Sequence, residues 1–146
     1  MKIKLIFITL MALFTSIISA DELGNLTTNQ LLKLQKNSNA LVIDIRTEKE
    51  WQATGTIPNS HKLQFFSDKG EYDTKKWLTD LKQLKSNDDQ IVILVCRSGN
   101  RSGKVGNMLT QQLGMKKIYH LSNGMMSWIK TGNKTTKDCL PQLACK

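Results

Sequence analysis

Cys96 closes an apolar run and opens a polar loop. In "IVILVCRSGNRSGK", residues 91–104, the thiol follows five aliphatic residues and is itself followed by Arg97, Ser98, Gly99, Asn100, Arg101 and Ser102. A cysteine that only fills a core needs neither guanidinium groups nor small donors beside it. A thiol reacts as its thiolate, and three features of this stretch favour the anion. The loop runs into a helix, whose first N–H groups and dipole attract negative charge. Arg97 and Arg101 add permanent positive charge. Gly99 permits a positive φ, so successive N–H groups can curl around one anionic atom. No Asp or Glu interrupts the stretch. The chemistry predicted is nucleophilic attack by Cys96 on an anionic substrate. An inert core cysteine is the alternative, and the arginines and Gly99 argue against it.

The elements that must position this loop alternate along the chain. "TTNQLLKLQK" has Thr and Asn start signals and leucines at 31, 32 and 34, which predicts a helix. Residues 40–45, "ALVIDI", read as a buried strand. It ends in "RTEKEW", where Thr47 with Glu50 three residues on predicts a short capped helix. "GTIPNSHKLQFF" reads as loop and short extended structure broken by Pro58. Residues 73–84 carry Trp77, Leu78, Leu81 and Leu84 at helical spacing. After the strand at 91–95, a helix is predicted to run to Gly114 with Val105, Met108, Leu109 and Leu113 on one face. "KKIYHL" supplies another strand, and "GMMSWIKTG" a last helix stopped by Gly132. Short apolar strands separated by helices predict an α/β fold, a mainly parallel central sheet with helices on both faces. Ligands of such sheets bind beyond the carboxyl ends of the strands. Three polar junctions fall there: 44–47, 96–101 and 120–124.

The 146-residue chain is long enough for one domain. Its first 20 residues have the layout of a signal peptide: basic "MKIK", an uncharged apolar run, then small Ser19 and Ala20 before "DE". An uncleaved anchor is the rival reading, and the apolar run is short for a membrane span. Cleavage after Ala20 places the mature protein in the periplasm of a Gram-negative cell, or outside the cell otherwise, with no stable membrane insertion. Loss of Lys2 and Lys4 with the leader takes two from the formal charge of +9. The remaining lysines are scattered and no nucleic-acid-binding motif is present, so the charge is read as solvated surface that favours small anions. Of the three cysteines, Cys139 and Cys145 lie close together in "KDCLPQLACK". A disulfide between them is expected in an oxidising compartment, stapling a tail at 136–146 and leaving Cys96 free. Two free thiols are the alternative, and with no His nearby a metal site is not expected.

"VCRSGNRS" resembles the active-site loop of the rhodanese-like sulfurtransferases. Residues 41–63, "LVIDIRTEKEWQATGTIPNSHKL", resemble that family's first signature, an Asp-x-Arg strand end leading to a Gly-x-Ile-Pro turn. Residues 119–132, "YHLSNGMMSWIKTG", resemble its final Gly-Gly helix with a Trp. Thr56 stands where His is frequent in the turn, and Asn123 replaces the first glycine of the pair. The resemblance spans residues 27–132 and implies a single rhodanese-like domain at 21–135. It also implies a thiosulfate sulfurtransferase-type activity without cofactor, in which Cys96 carries sulfur as a persulfide. The donor would be thiosulfate or a similar anion; the acceptor would be cyanide in assays and a thiol in the cell. Backbone N–H groups of Arg97, Ser98, Gly99, Asn100 and Arg101 would bind the charged sulfur. On charge alone, Arg97, with Arg101 as the second candidate, would attract the donor. Asp44 and Arg46 would brace the loops at the sheet edge.

Four residues separate Cys96 from Arg101. Phosphatases that use a Cys–Arg cradle have a loop one residue longer, so the shorter loop suits a sulfur atom better than a phosphate ester. A Cys–His protease is disfavoured because His61 and His120 sit in no protease-like context. His120, at a strand end, reads as a surface or structural histidine, with lining the site as the alternative. The alternative of a different class is a non-catalytic module whose cradle binds a small anion or a protein partner.

Overall fold

The computed structural model describes residues 22–137. Strands β1 (Gly24–Leu26), β2 (Leu41–Asp44), β3 (His61–Lys62), β4 (Val92–Val95) and β5 (Ile118–Leu121) pair in parallel. Among the described residues the sheet order is β1–β5–β4–β2–β3. Helices α1 (Thr28–Asn37), α2 (Glu48–Thr54), α3 (Thr74–Leu84), α4 (Asn100–Asn107) and α5 (Gly124–Lys130) alternate with the strands. The chain folds as a single α/β domain of the predicted kind.

Every residue of β2 and β4 is buried. A parallel strand covered on both faces must be apolar on both, which is why "LVI" and "VILV" carry no polar alternation. On one face Ile43, Leu94 and Ile118 pack with Trp77 and Leu81 of α3 and Val105 of α4. On the other, Val42, Ile93 and Val95 pack with Leu31 of α1 and Met125 and Trp128 of α5. The Thr47–Glu50 capping box forms as predicted, with Glu50 Oε2 accepting the Thr47 N–H at 3.1 Å.

Two elements differ from expectation. β1 has three residues, "GNL", too short to show a period, and it exists because β5 pairs with it at the sheet edge. The helix predicted to reach Gly114 is α-helical only to Asn107; a π-helical turn, Met108–Gln112, follows. There the Leu113 N–H bonds to Met108 O at 3.2 Å, five residues back. The wider turn rotates the chain out of register, so Val105 and Leu109 are buried while Leu113 is 47% exposed.

After α5 the chain folds back along the turn that precedes β3. Thr56 and Thr136 exchange N–H···O bonds of 2.8 and 2.9 Å, and Trp128 Nε1 donates to Lys134 O at 2.9 Å. The leader at 1–20 and both tail cysteines, Cys139 and Cys145, lie outside the described residues.

Candidate active site

β4 is the middle strand, so the loop that follows it emerges at the centre of the carboxyl edge. Cys96 is the first residue beyond that strand and is 1% exposed. Its Sγ lies 3.1 Å from the Gly99 N–H and 3.4 Å from the Ser102 N–H. The Ser102 hydroxyl lies 3.4 Å away on the same sulfur. The sulfur therefore sits in the first turn of α4, where N–H groups lack helical partners and face whatever anion is offered. Gly99 caps α4 with φ +93°, and a Cβ there would overlap the Ser122 carbonyl oxygen. The loop after β5 thus closes directly over the loop after β4.

The start of α5 fixes the cradle from the other side. Its Met125 and Met126 N–H groups donate to the Cys96 and Arg97 carbonyls at 2.8 and 3.0 Å. These bonds hold two peptide planes with their oxygens towards α5. Gly124 makes the approach possible: its φ is +54°, and a Cβ would overlap the Cys96 carbonyl oxygen. Asn123, by contrast, has φ −107°, which any residue adopts, so the missing first glycine of the Gly-Gly pair leaves the backbone unchanged.

Asp44 and Arg46 are each 1% exposed and form one clamp. Arg46 Nη2 and Nε reach Asp44 at 2.7 and 2.9 Å, while Nη1 donates to Thr54 Oγ1 and Nη2 to Gly55 O at 2.8 and 2.7 Å. The clamp ties the end of β2 to the end of α2 at the rim of the site.

The two arginines of the loop are not equivalent. Arg101 makes a bidentate pair with Glu50, 2.6 and 2.9 Å, so its guanidinium ties α4 to α2. Arg97 is exposed and makes no ion pair among the described residues. It borders a cleft of 280 Å³ that is also lined by Arg46, Glu50, Met125, Met126 and Ile129. Ser98 and Asn100 are exposed and Gly99 is buried. Among the described residues no group of three or more His, Cys, Asp or Glu side chains is placed to hold a metal ion.

Burial pushes the Glu50 carboxyl up, but hydrogen bonds from Arg101 and Thr47 and the Arg101 charge outweigh it and hold the carboxyl below its ordinary range. A carboxyl lowered on folding contributes its stability fully above its ordinary value and loses it as pH falls through the lower, folded value. Glu50→Gln keeps the capping bond and removes the charge, at a cost of roughly 1 kcal/mol for a partly exposed pair. The gap in Tm between wild type and Glu50→Gln should be constant from neutral pH to about pH 5 and close below about pH 4. Thermal unfolding across that range checks it.

Three residues at the site were not singled out from sequence. Ser102 meets the sulfur, Glu50 reads fully as a helix cap, and Asn25 lies on the short strand β1. His120, read as a surface or structural histidine, is buried with Nδ1 3.2 Å from Ser102 Oγ and Nε2 2.7 Å from Asn25 Oδ1. His61, on β3, pairs with Ile43 of β2 and borders a pocket with Asn39 and Leu41 rather than the cysteine loop.

A family profile described as "Rhodanese-like domain" matches residues 27–131. The chain belongs to the rhodanese-like domain family. An uncharacterised protein of Rickettsia rickettsii is 34% identical over 95 residues, 62% of this chain and 73% of that one. Two solved rhodanese-type structures share the fold. The polysulfide-sulfur transferase homodimer of Wolinella succinogenes has a TM-score of 0.60 at 23% identity, covering 78% of each chain. The thiosulfate sulfurtransferase of Pseudomonas aeruginosa has a TM-score of 0.59 at 19% identity, covering 77% of this chain and 20% of that one. The rhodanese-like fold thus presents Cys96 at the carboxyl edge of its sheet.

Proposed function

We propose that the protein is an exported sulfurtransferase that carries sulfane sulfur as a Cys96 persulfide. The observation that carries this reading is the Cys96 sulfur held by the Gly99 and Ser102 N–H groups beside Arg97, which is exposed and makes no ion pair among the described residues. Arg97 draws a small dianion such as thiosulfate to the cleft. The Cys96 thiolate attacks the donor's outer sulfur; the new S–S bond forms to Cys96, the donor's S–S bond breaks, and sulfite leaves with the electron pair. The charged outer sulfur of the persulfide is received by the N–H groups of the loop 97–101. An acceptor thiolate, or cyanide in an assay, then attacks the outer sulfur, and the Cys96 thiolate returns as the leaving group. Two half-reactions through one covalent carrier give ping-pong kinetics. The leader at residues 1–20 supports an extracytoplasmic site of action, periplasmic in a Gram-negative cell.

Intact mass tests the reading. The reduced mature protein is treated with thiosulfate and freed of small molecules, beside Cys96→Ser. The expected result is a gain of one sulfur atom in the wild type alone. Failure to gain sulfur from thiosulfate, polysulfide or another sulfane donor, with Cys96 still titratable, would put a non-catalytic anion-binding module in its place.

A further inference from the structure

Cys96 is 1% exposed, so its thiol has little contact with bulk water. The polar path that leaves the sulfur runs inward. Ser102 Oγ is 3.4 Å from Sγ, His120 Nδ1 is 3.2 Å from Ser102 Oγ, and Asn25 Oδ1 is 2.7 Å from His120 Nε2. These four side chains come from the end of β4, the first turn of α4, β5 and β1. We propose that Ser102, His120 and Asn25 form a proton relay for Cys96, with His120 as the proton acceptor.

The direction of each bond follows from the atoms. Asn25 Oδ1 only accepts, so His120 carries its hydrogen on Nε2 and offers the Nδ1 lone pair to Ser102. At rest the Ser102 hydroxyl donates to the Gly99 carbonyl at 3.1 Å; for the transfer it turns to His120 Nδ1, 3.2 Å away, while the Cys96 S–H points at Ser102 Oγ. On activation the Cys96 proton moves to Ser102 Oγ as the Ser102 proton moves to Nδ1. Cys96 is left as thiolate, and His120 becomes an imidazolium whose Nε2–H stays on Asn25. Ser102 ends as it began, an alcohol, now donating to the thiolate. No oxidant or other reactant is needed. Each return of the thiolate as leaving group can run the relay backwards.

The surroundings fit this assignment. Burial lowers the pKa of His120 and so favours the neutral ring, while a hydrogen bond with the Gly99 backbone acts the other way and favours the imidazolium that forms on transfer. The groups beside the ring are neutral: Asn25 from β1, and Ser102 and Gly103 from α4. Cys96, across Ser102, is the titratable group that faces it, and the neighbouring cation of α4, Arg101, is paired with Glu50. Asn25 is exposed, so the far end of the relay meets water.

The relay rests on Cys96 acting as a thiolate, as the sulfurtransferase reading requires, but its test needs no sulfur donor. The Cys96 thiolate is titrated by ultraviolet absorption in the full mature chain, taken as the difference from the matching Cys96→Ser protein. His120→Gln removes the acceptor, and the thiolate fraction at pH 7 should fall about tenfold, a shift of the curve by about one pH unit. Asn25→Asp places a carboxylate on Nε2–H, makes the ring more basic and should move the curve the opposite way, towards acid. A structural role for His120 predicts neither movement. A folded His120→Gln protein whose curve superimposes on wild type overturns the relay. If that variant does not fold, Asn25→Asp decides: an acid shift supports the relay, and an unchanged or alkaline curve overturns it. Shifted curves in a protein that takes up no sulfur would retain the relay and remove the transferase reading.

Discussion

Replacing Gly99 by alanine is expected to reduce sulfur loading of Cys96 by about a hundredfold or more, the scale of losing one preorganised donor to a developing anion. Two separate obstacles act at this position. Its φ of +93° lies in the left-handed region, which costs an L-residue about 1–2 kcal/mol. The added Cβ would overlap the Ser122 carbonyl oxygen, a backbone atom fixed by the start of α5 that cannot rotate aside. The loop must therefore lift away from the turn after β5, and the N–H that moves with it is the one 3.1 Å from the sulfur. Because the sheet and both core clusters are untouched, the variant should still fold. Mass analysis after thiosulfate treatment, with circular dichroism as the control for folding, separates the lost cradle from a lost fold. Loading at the wild-type rate would show that the Gly99 N–H is dispensable.

The largest loss of stability is expected for Asp44→Ala. Both partners of the Asp44–Arg46 pair are 1% exposed, so removing the carboxylate leaves a guanidinium buried without its counter-charge. Breaking such a pair from one side costs about 3–5 kcal/mol, a large part of the ~5–15 kcal/mol by which domains are stable. Removing both charges, as in Asp44→Leu/Arg46→Met, should recover only part of the loss. Arg46 also satisfies Thr54 Oγ1 and the Gly55 carbonyl, and these would then lose their donor. Urea unfolding of the wild type, the single variant and the double variant tests the order. A single variant within 1 kcal/mol of wild type would mean that Arg46 reaches water more easily than its burial implies.

The parts of the fold that could be read from sequence are those whose signal is local. β2 and β4 stand out because central parallel strands are apolar on both sides, and the cap of α2 stands out because Thr47 and Glu50 are three residues apart. The cysteine loop is local as well, one turn of chain around one atom. What escaped reading depends on residues brought together from afar. Glu50 meets Arg101 across 51 positions, and its capping role already accounted for its carboxylate. His120 meets Ser102 across 18 positions and Asn25 across 95, and Asn25 sits on a strand that exists only through its pairing with β5. Leu113 misled because the helical period assumes a uniform turn, and the π-helical segment before it breaks that period.

If Cys96 is the sulfur carrier proposed above, the grip of α5 on the Cys96 and Arg97 carbonyls ties its reactivity to an intact fold. Those two bonds hold both carbonyl oxygens on the start of α5. If α5 frays, the peptide planes are free to rotate, and oxygens that faced the helix can swing towards the anion and repel it. A chain whose α5 has frayed would then hold a weaker nucleophile. The cradle would act as an interlock, tying the proposed reactivity of Cys96 to the folded state.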